Sequence, residues 1–249
     1  MDRLIYTALT AMQRGTERQA VTAHNLANVE TPGFRREMTA MQQGYLVSPP
    51  RGAALSTRVQ AGGETSHDLM REGRVVETGR GTDVAMMGGA WLAVADAGGA
   101  EAYTRRGDLR FDSEGRLLTG AGQQVLGIDG APIILAGNPA QMRIGMDGAI
   151  EMRATDEEPF VEVARMKLVS PPPDALSRGA DGLFRTDAPL AADPLARVMP
   201  GAMESSNVEA AAVLVELIEQ SRGFEIQTKL LSAAREMDEN GARLMRIDG

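Results

Sequence analysis

The chain has 249 residues, 43% of them hydrophobic but only 4% aromatic, so its core must rest on Leu, Val, Ile, Met and Ala. Its 26 Lys and Arg against 34 Asp and Glu give a net charge of −8, and no basic stripe runs along either end, which argues against a nucleic-acid partner. There is no cysteine, which excludes a disulfide frame and a thiolate metal site, and no apolar run approaches the roughly 18 residues needed to span a bilayer.

The N-terminus opens Met-Asp-Arg and then runs amphipathic, without the apolar block of a cleaved secretory signal. The protein is therefore expected to stay in the cytoplasm or to leave by a route that cleaves no signal. Met1, Ile5, Ala8, Met12, Gly15, Gln19, Thr22 and Leu26 alternate in steps of four and three, the pattern of a helix with one buried stripe. Gly15, Gln19 and Thr22 make that stripe poor in bulk, so the helix needs a partner. It ends in Asn25-Leu26-Ala27-Asn28-Val29-Glu30-Thr31-Pro32-Gly33-Phe34, where Pro32 cannot continue a helix and Gly33 permits a turn.

From Met38 to about Thr78 the pattern is weak. Met38-Thr39-Ala40-Met41 suits a short helix or strand, Leu55-Ser56-Thr57-Arg58-Val59 a strand, and Pro49-Pro50-Arg51-Gly52 and Gly62-Gly63 read as breakers. Residues 83–150 then change texture. Strands are expected at Trp91-Leu92-Ala93-Val94, Ala102-Tyr103-Thr104-Arg105, Leu109-Arg110-Phe111-Asp112, Arg116-Leu117-Leu118-Thr119, Gln124-Val125-Leu126-Gly127 and Pro132-Ile133-Ile134-Leu135. Gly98-Gly99, Ser113-Glu114-Gly115 and Asp129-Gly130 supply hairpin turns between them, so an antiparallel all-β domain is expected. Residues 160–169 alternate as one further strand, Leu183-Phe184-Arg185-Thr186 is a last extended piece, and residues 188–203 read as a linker.

The C-terminal end is the strongest pattern in the chain. Ala210, Leu214, Leu217, Ser221, Phe224, Thr228, Leu231, Asp238 and Met245 fall on one heptad seam, mostly in alternating steps of four and three. Ser206 with Glu209 reads as a capping box, Glu204 as favourable charge near the helix start, and no Pro interrupts the run. The expected fold is α+β: long N- and C-terminal helices pair in a coiled-coil-like domain, with an antiparallel β domain inserted between them.

These ends carry a resemblance. Asn25-x-Ala27-Asn28-x-x-Thr31-x-Gly33-Phe34-Arg35 resembles the N-terminal signature of the flagellar rod and hook family of axial proteins. Ser206-Asn207-Val208, Leu217-Ile218 and Arg222-Gly223-Phe224-Glu225-Ile226-Gln227 resemble its C-terminal signature, with Ser221 where a Gln commonly stands. Ala102-Tyr103-Thr104-Arg105-x-Gly107, Phe111-Asp112-x-x-Gly115 and Val125-Leu126-Gly127-x-x-Gly130-x-Pro132-Ile133 resemble its β domain.

The resemblance implies a non-enzymatic structural subunit without cofactor or metal, assembling with copies of itself and other rod proteins in the periplasmic basal body. It implies export through the flagellar type III apparatus, without membrane insertion. The opening, the length and the single modest β domain look most like a proximal rod subunit, with a distal rod or hook subunit as the competitor.

The organisation expected is a helix and signature turn over 1–35, a connector arm over 36–78, a β domain over 79–170, a return linker over 171–204 and a pairing helix over 205–249. Leu214, Leu217, Phe224 and Leu231 are expected to face Ile5, Met12 and Leu26. The signature residues are Asn25, Ala27, Asn28, Thr31, Gly33, Phe34, Arg35, Asn207, Arg222 and Glu225.

Motifs for chemistry are missing: no His-Glu-x-x-His, no Gly-x-Ser-x-Gly and no phosphate loop. Asp156-Glu157-Glu158 lacks calcium-loop spacing, and His67 has no ligand set around it. Two further readings are a secreted peptidoglycan hydrolase or glycan-binding protein, and a cytoplasmic coiled-coil scaffold.

Overall fold

The structure is a computed structural model describing residues 2–44, 60–68, 70–135, 142–153, 155, 157–172 and 175–247, with the side chains of 2–8, 39–44, 60–68, 234 and 238–247 left out. The strand expected at Leu55-Ser56-Thr57-Arg58-Val59, the side chain of Ile5 and that of His67 lie outside this description. The chain divides into two compact units, one formed by 1–28, 37–69 and 208–249, the other by 29–36 and 70–207.

The first unit holds two helices, α1 (Asp2–Ala27) and α2 (Ala210–Ile247), which pack on each other, and a hairpin of β1 (Glu37–Gly44) and β2 (Gln60–Asp68). At the end of α1, both the backbone N–H and the Nδ2 of Asn28 donate to the carbonyl of His24, closing the last turn before Pro32 ends the helix. Met38-Thr39-Ala40-Met41 takes the strand alternative. Gly62 and Gly63, read as breakers, lie inside β2, beside a register irregularity between Met41 and Gln43. The capping box does not start α2. Its first turn opens at Ala210, four residues past Ser206, where Val213 N–H bonds the carbonyl of Glu209.

The second unit is all β. Its largest sheet runs β14 (Ser177–Arg178), β15 (Phe184–Arg185), β6 (Glu101–Thr104), β5 (Trp91–Ala95), β9 (Gln124–Val125), β8 (Leu117–Thr119) and β7 (Leu109–Phe111), with β13 (Leu168–Val169) also on β5. A three-stranded sheet joins β10 (Met142–Ile144), β11 (Ala149–Met152) and β12 (Val161–Arg165). Two small ladders pair β16 (Val198–Pro200) with β4 (Val84–Met86) and β17 (Ala202–Glu204) with β3 (Val75–Glu77).

Leu92, Val94, Leu117, Val125, Ile150 and Met166 fill the main core, while Trp91 packs on Phe184 with ring centroids 4.8 Å apart. Asp turns set the register of the hairpins: the carboxylate of Asp96 accepts from Gly98 and Ala100, and that of Asp112 from Glu114 and Arg116.

Three differences from the sequence pattern have physical causes. Residues 160–169 form two strands, not one, because the chain changes sheets between Arg165 and Leu168. Pro132-Ile133-Ile134-Leu135 makes only isolated bridges, Leu126 to Pro132 and Arg116 to Ile134. Residues 188–203, read as a linker, end in β16 and β17, which turn at Gly201 (φ +71°) and return to the sheets.

Gly107 shows how closely this unit is packed. A Cβ there would lie 1.6 Å from the carbonyl oxygen of Val84, which itself donates its N–H to Gly107. Gly107→Ala is expected to cost about 3 kcal/mol through forced overpacking, read as a lower urea midpoint with the slope unchanged.

Candidate functional site

In the second unit the N-terminal turn and the strand preceding the C-terminal signature meet on one buried carboxylate. Glu204, 1% exposed at the end of β17, accepts from Arg35 on Oε1 and from Arg105 Nε on Oε2 at 2.6 Å. Gly73 N–H adds a bond to Oε1 at 2.7 Å, and Gly33 N–H donates to the Glu204 carbonyl. Arg105 is fully engaged: its terminal nitrogens donate to the carbonyls of Met86, Gly88 and Ala90. Glu72, itself half exposed, lies 3.7 Å from Arg105 and supplies the second negative charge that two guanidiniums require. Burial pushes Arg35 below its ordinary pKa, and the hydrogen bond and charge of Glu204 work against that shift.

The backbone closes the same joint. Asn207 donates its N–H to the Phe34 carbonyl, its Nδ2 to the Arg71 carbonyl, and its Oδ1 accepts from Arg36 N–H at 2.6 Å. Gly33 is left-handed (φ +68°), and a Cβ there would lie 2.3 Å from the Arg105 carbonyl carbon, so two backbones touch where a side chain would stand. Phe34 N–H reaches the Thr31 carbonyl, and the Arg178 guanidinium lies over both Phe34 (4.8 Å) and Phe184 (4.9 Å). The carboxylate of Glu204 and the guanidiniums of Arg35 and Arg105 are thus spent on one another.

The first unit carries the helix pair. Gln220 Nε2 donates to Thr22 Oγ1 at 2.9 Å, and Gly15 lies across from Gln227, which makes α1 and α2 antiparallel. The seam between them is polar at its centre: Thr22 is 3% exposed, and the Oε1 atoms of Gln220 and Gln227 are buried without a hydrogen-bond partner among the described residues. Each such oxygen costs about 1–3 kcal/mol.

Of the residues expected on this seam, Met12, Leu26, Leu217 and Leu231 are half-buried. Leu214 is 49% exposed and lies about 120° round α2 from Gln220, so it does not face α1 in the single chain. Phe224, 42% exposed, sits at the seam's margin. Arg222, Glu225 and Ala27 are exposed. Asn25, 2% exposed, bridges α1 to β1 by accepting from Glu37 N–H and donating to the Glu37 carbonyl, both at 2.8 Å.

Three stretches match described families: residues 5–35 match "Flagella basal body rod protein", 85–152 "Flagellar hook protein FlgE/F/G D1 domain" and 199–244 "Flagellar basal body rod FlgEFG protein C-terminal". Over 99% of its length the chain is 38% identical to the flagellar basal-body rod protein FlgF of Escherichia coli (strain K12), of which it covers 98%. It is 37% identical to that of Salmonella typhimurium over the same shares. The chain belongs to the FlgF family of flagellar basal-body rod proteins. It is a structural subunit of the rod, not an enzyme. It is also 27% identical to the rod protein FlgG of Agrobacterium fabrum, over 94% of this chain and 96% of that one. Among the described residues no helix is long and apolar enough to cross a membrane, and no cluster of His, Asp and Glu could hold a metal.

Sequence reasoning missed the centre of the joint. Glu204 reads as a helix-start charge, whereas it is a buried strand residue spent on Arg35 and Arg105. The available signal was a lone carboxylate in Val198-Met199-Pro200-Gly201-Ala202-Met203-Glu204, an otherwise uncharged run.

Asn25→Ala is expected to leave the Glu37 N–H and carbonyl unpaired and to cost about 2 kcal/mol, seen as faster amide exchange at Glu37 with the second unit's protection unchanged.

Proposed function

We propose that the chain builds the proximal segment of the rod, packing with copies of itself and with other rod proteins into a helical drive shaft, after export through the flagellar type III apparatus without signal cleavage. The observation that carries this reading is the helix pair itself. Leu214, Val215, Ile218, Ile226, Leu230 and Met237 of α2 are between 49% and 59% exposed, while the side turned to α1 is rich in Gln. So much apolar surface on one helix marks a surface made for protein contact. A contact repeated with a rotation that does not close generates a helical tube. The end helices gain most of their burial from neighbours, so their ordering is coupled to assembly. The placement in the proximal segment is supported by the two near-full-length FlgF relatives at 38% and 37%, against 27% for the FlgG protein.

Leu217→Asp places a charge on the half-buried margin of the helix pair and leaves the core of the second unit untouched. The variant is expected to keep near-native β-sheet circular dichroism yet fail to enter basal bodies or restore swimming to a strain lacking its own copy. Normal incorporation and swimming would contradict the packing role.

A further inference from the structure

α2 carries the same short pattern twice. Ala211, Leu214, Ile218 and Ser221 run small, large, large, small in steps of three, four and three. Gly223, Ile226, Leu230 and Ala233 repeat the pattern twelve residues later. The offset rotates the second run about 120° round the helix from the first, so the two seams look in different directions. Both are open. Leu214 and Ile218 are 49% and 55% exposed, Ile226 and Leu230 58% and 59%, and a Cβ added at Gly223 would meet nothing within 4 Å. Gly in a helix interior is unfavourable, and among the described residues nothing lies within 4 Å of a Cβ built at Gly223 to account for it. The exposed Arg222 lies between the two seams, Lys229 is at the edge of the first, and Glu225 continues the first seam one turn past Ser221.

We propose that these two seams are the halves of a single heterologous contact: the Ala211–Ser221 side of α2 in one copy packs on the Gly223–Ala233 side of α2 in the next. The helices are parallel and staggered by twelve residues, ~18 Å along the axis at the rise of an α-helix. At that stagger Leu214 meets Ile226 and Ile218 meets Leu230, while Ala211 stands against Gly223 and Ser221 against Ala233. Large side chains fill the centre and small ones let the backbones approach at both ends, with the three–four spacing of both seams in phase.

The occupant is a second copy because the complementary pattern is on the same helix. An in-register pair would use one seam twice, close on a two-fold axis and stop at two copies, whereas a contact between different seams leaves one of each free to continue. The polar Gln220–Thr22 seam supports this arrangement by holding α1 on a third side and leaving both apolar seams outward. The inference rests on the rod-subunit reading and adds the partner, the polarity and the register.

The absence of natural cysteine makes the test direct. Full-length chains bearing I218C with L230C, or L214C with I226C, are expressed in a strain lacking its own copy, and isolated basal bodies are oxidised and run without reductant. Each double variant is expected to give a ladder of dimers and higher multimers, and each of the four single variants to run as monomer. Dimers from the single variants would reveal in-register pairing and overturn the proposal, as would double variants that give no ladder with either pair while the wild-type chain enters basal bodies. Failure of the wild-type chain to enter basal bodies would instead overturn the rod reading itself. All four positions are exposed, so circular dichroism melting of each purified variant is expected to match the wild type.

Discussion

A carboxylate held at 1% exposure between two guanidiniums is costly to desolvate and useful only if every lone pair is spent. At Glu204 they are. One oxygen takes Arg35 and Gly73, the other takes Arg105, and Arg105 in turn ties three backbone carbonyls of the segment 86–90. The geometry of Gly33, the bonds of Asn207 and the stacking of Arg178 all follow from bringing 33–36 against 204–207. Residues about 170 positions apart in the chain are thus tied by electrostatics and backbone pairing. A buried ion pair adds little net stability, because a well-packed hydrophobic replacement of similar volume is often as stable or more so, while removing one partner alone is costly.

The helix pair follows the opposite rule. Its inner seam is polar at its centre and incompletely satisfied, and its outer surface exposes Leu214, Ile218, Ile226 and Leu230 among charged residues. A helix intended to be complete in a single chain would place Leu214 and Ile218 against α1 and leave Gln220 and Gln227 in water. This inversion is the observation on which the proposed packing among neighbours rests. The two units therefore divide the work by chemistry: a β body closed on itself and a helical part left open.

Much of this was legible in the residues. α1 and the strands from Trp91 to Thr119 could be read because apolar runs alternate with Asp and Gly turns of known conformation. β1 and β2 could not, since Gln, Thr, Ala, Gly and Ser give no period, and their pairing is set by long-range register. β16 and β17 were hidden by Pro200 and Gly201, which elsewhere mark loops but here shape the corner between two ladders. On α2 the heptad signal was real but ambiguous. Apolar residues recur on more than one side of the helix, and the Gln220–Thr22 bond with Gly15 across from Gln227 shows which side α1 takes. The role of Glu204 lay beyond local pattern because both of its cationic partners are distant in sequence.

The measurement that tests the account most directly is a double-mutant cycle on Arg35 and Glu204 in the full-length protein, followed by urea unfolding and amide exchange. If the buried ion pair organises the joint, Glu204→Gln alone and Arg35→Met alone should each cost about 3–5 kcal/mol, because each strands a buried partner, and the double replacement should cost clearly less than their sum. Amides of 33–36 and 204–207 should lose protection together. Single replacements that cost under about 0.5 kcal/mol, or that add without coupling, would mean the two segments are held by something else.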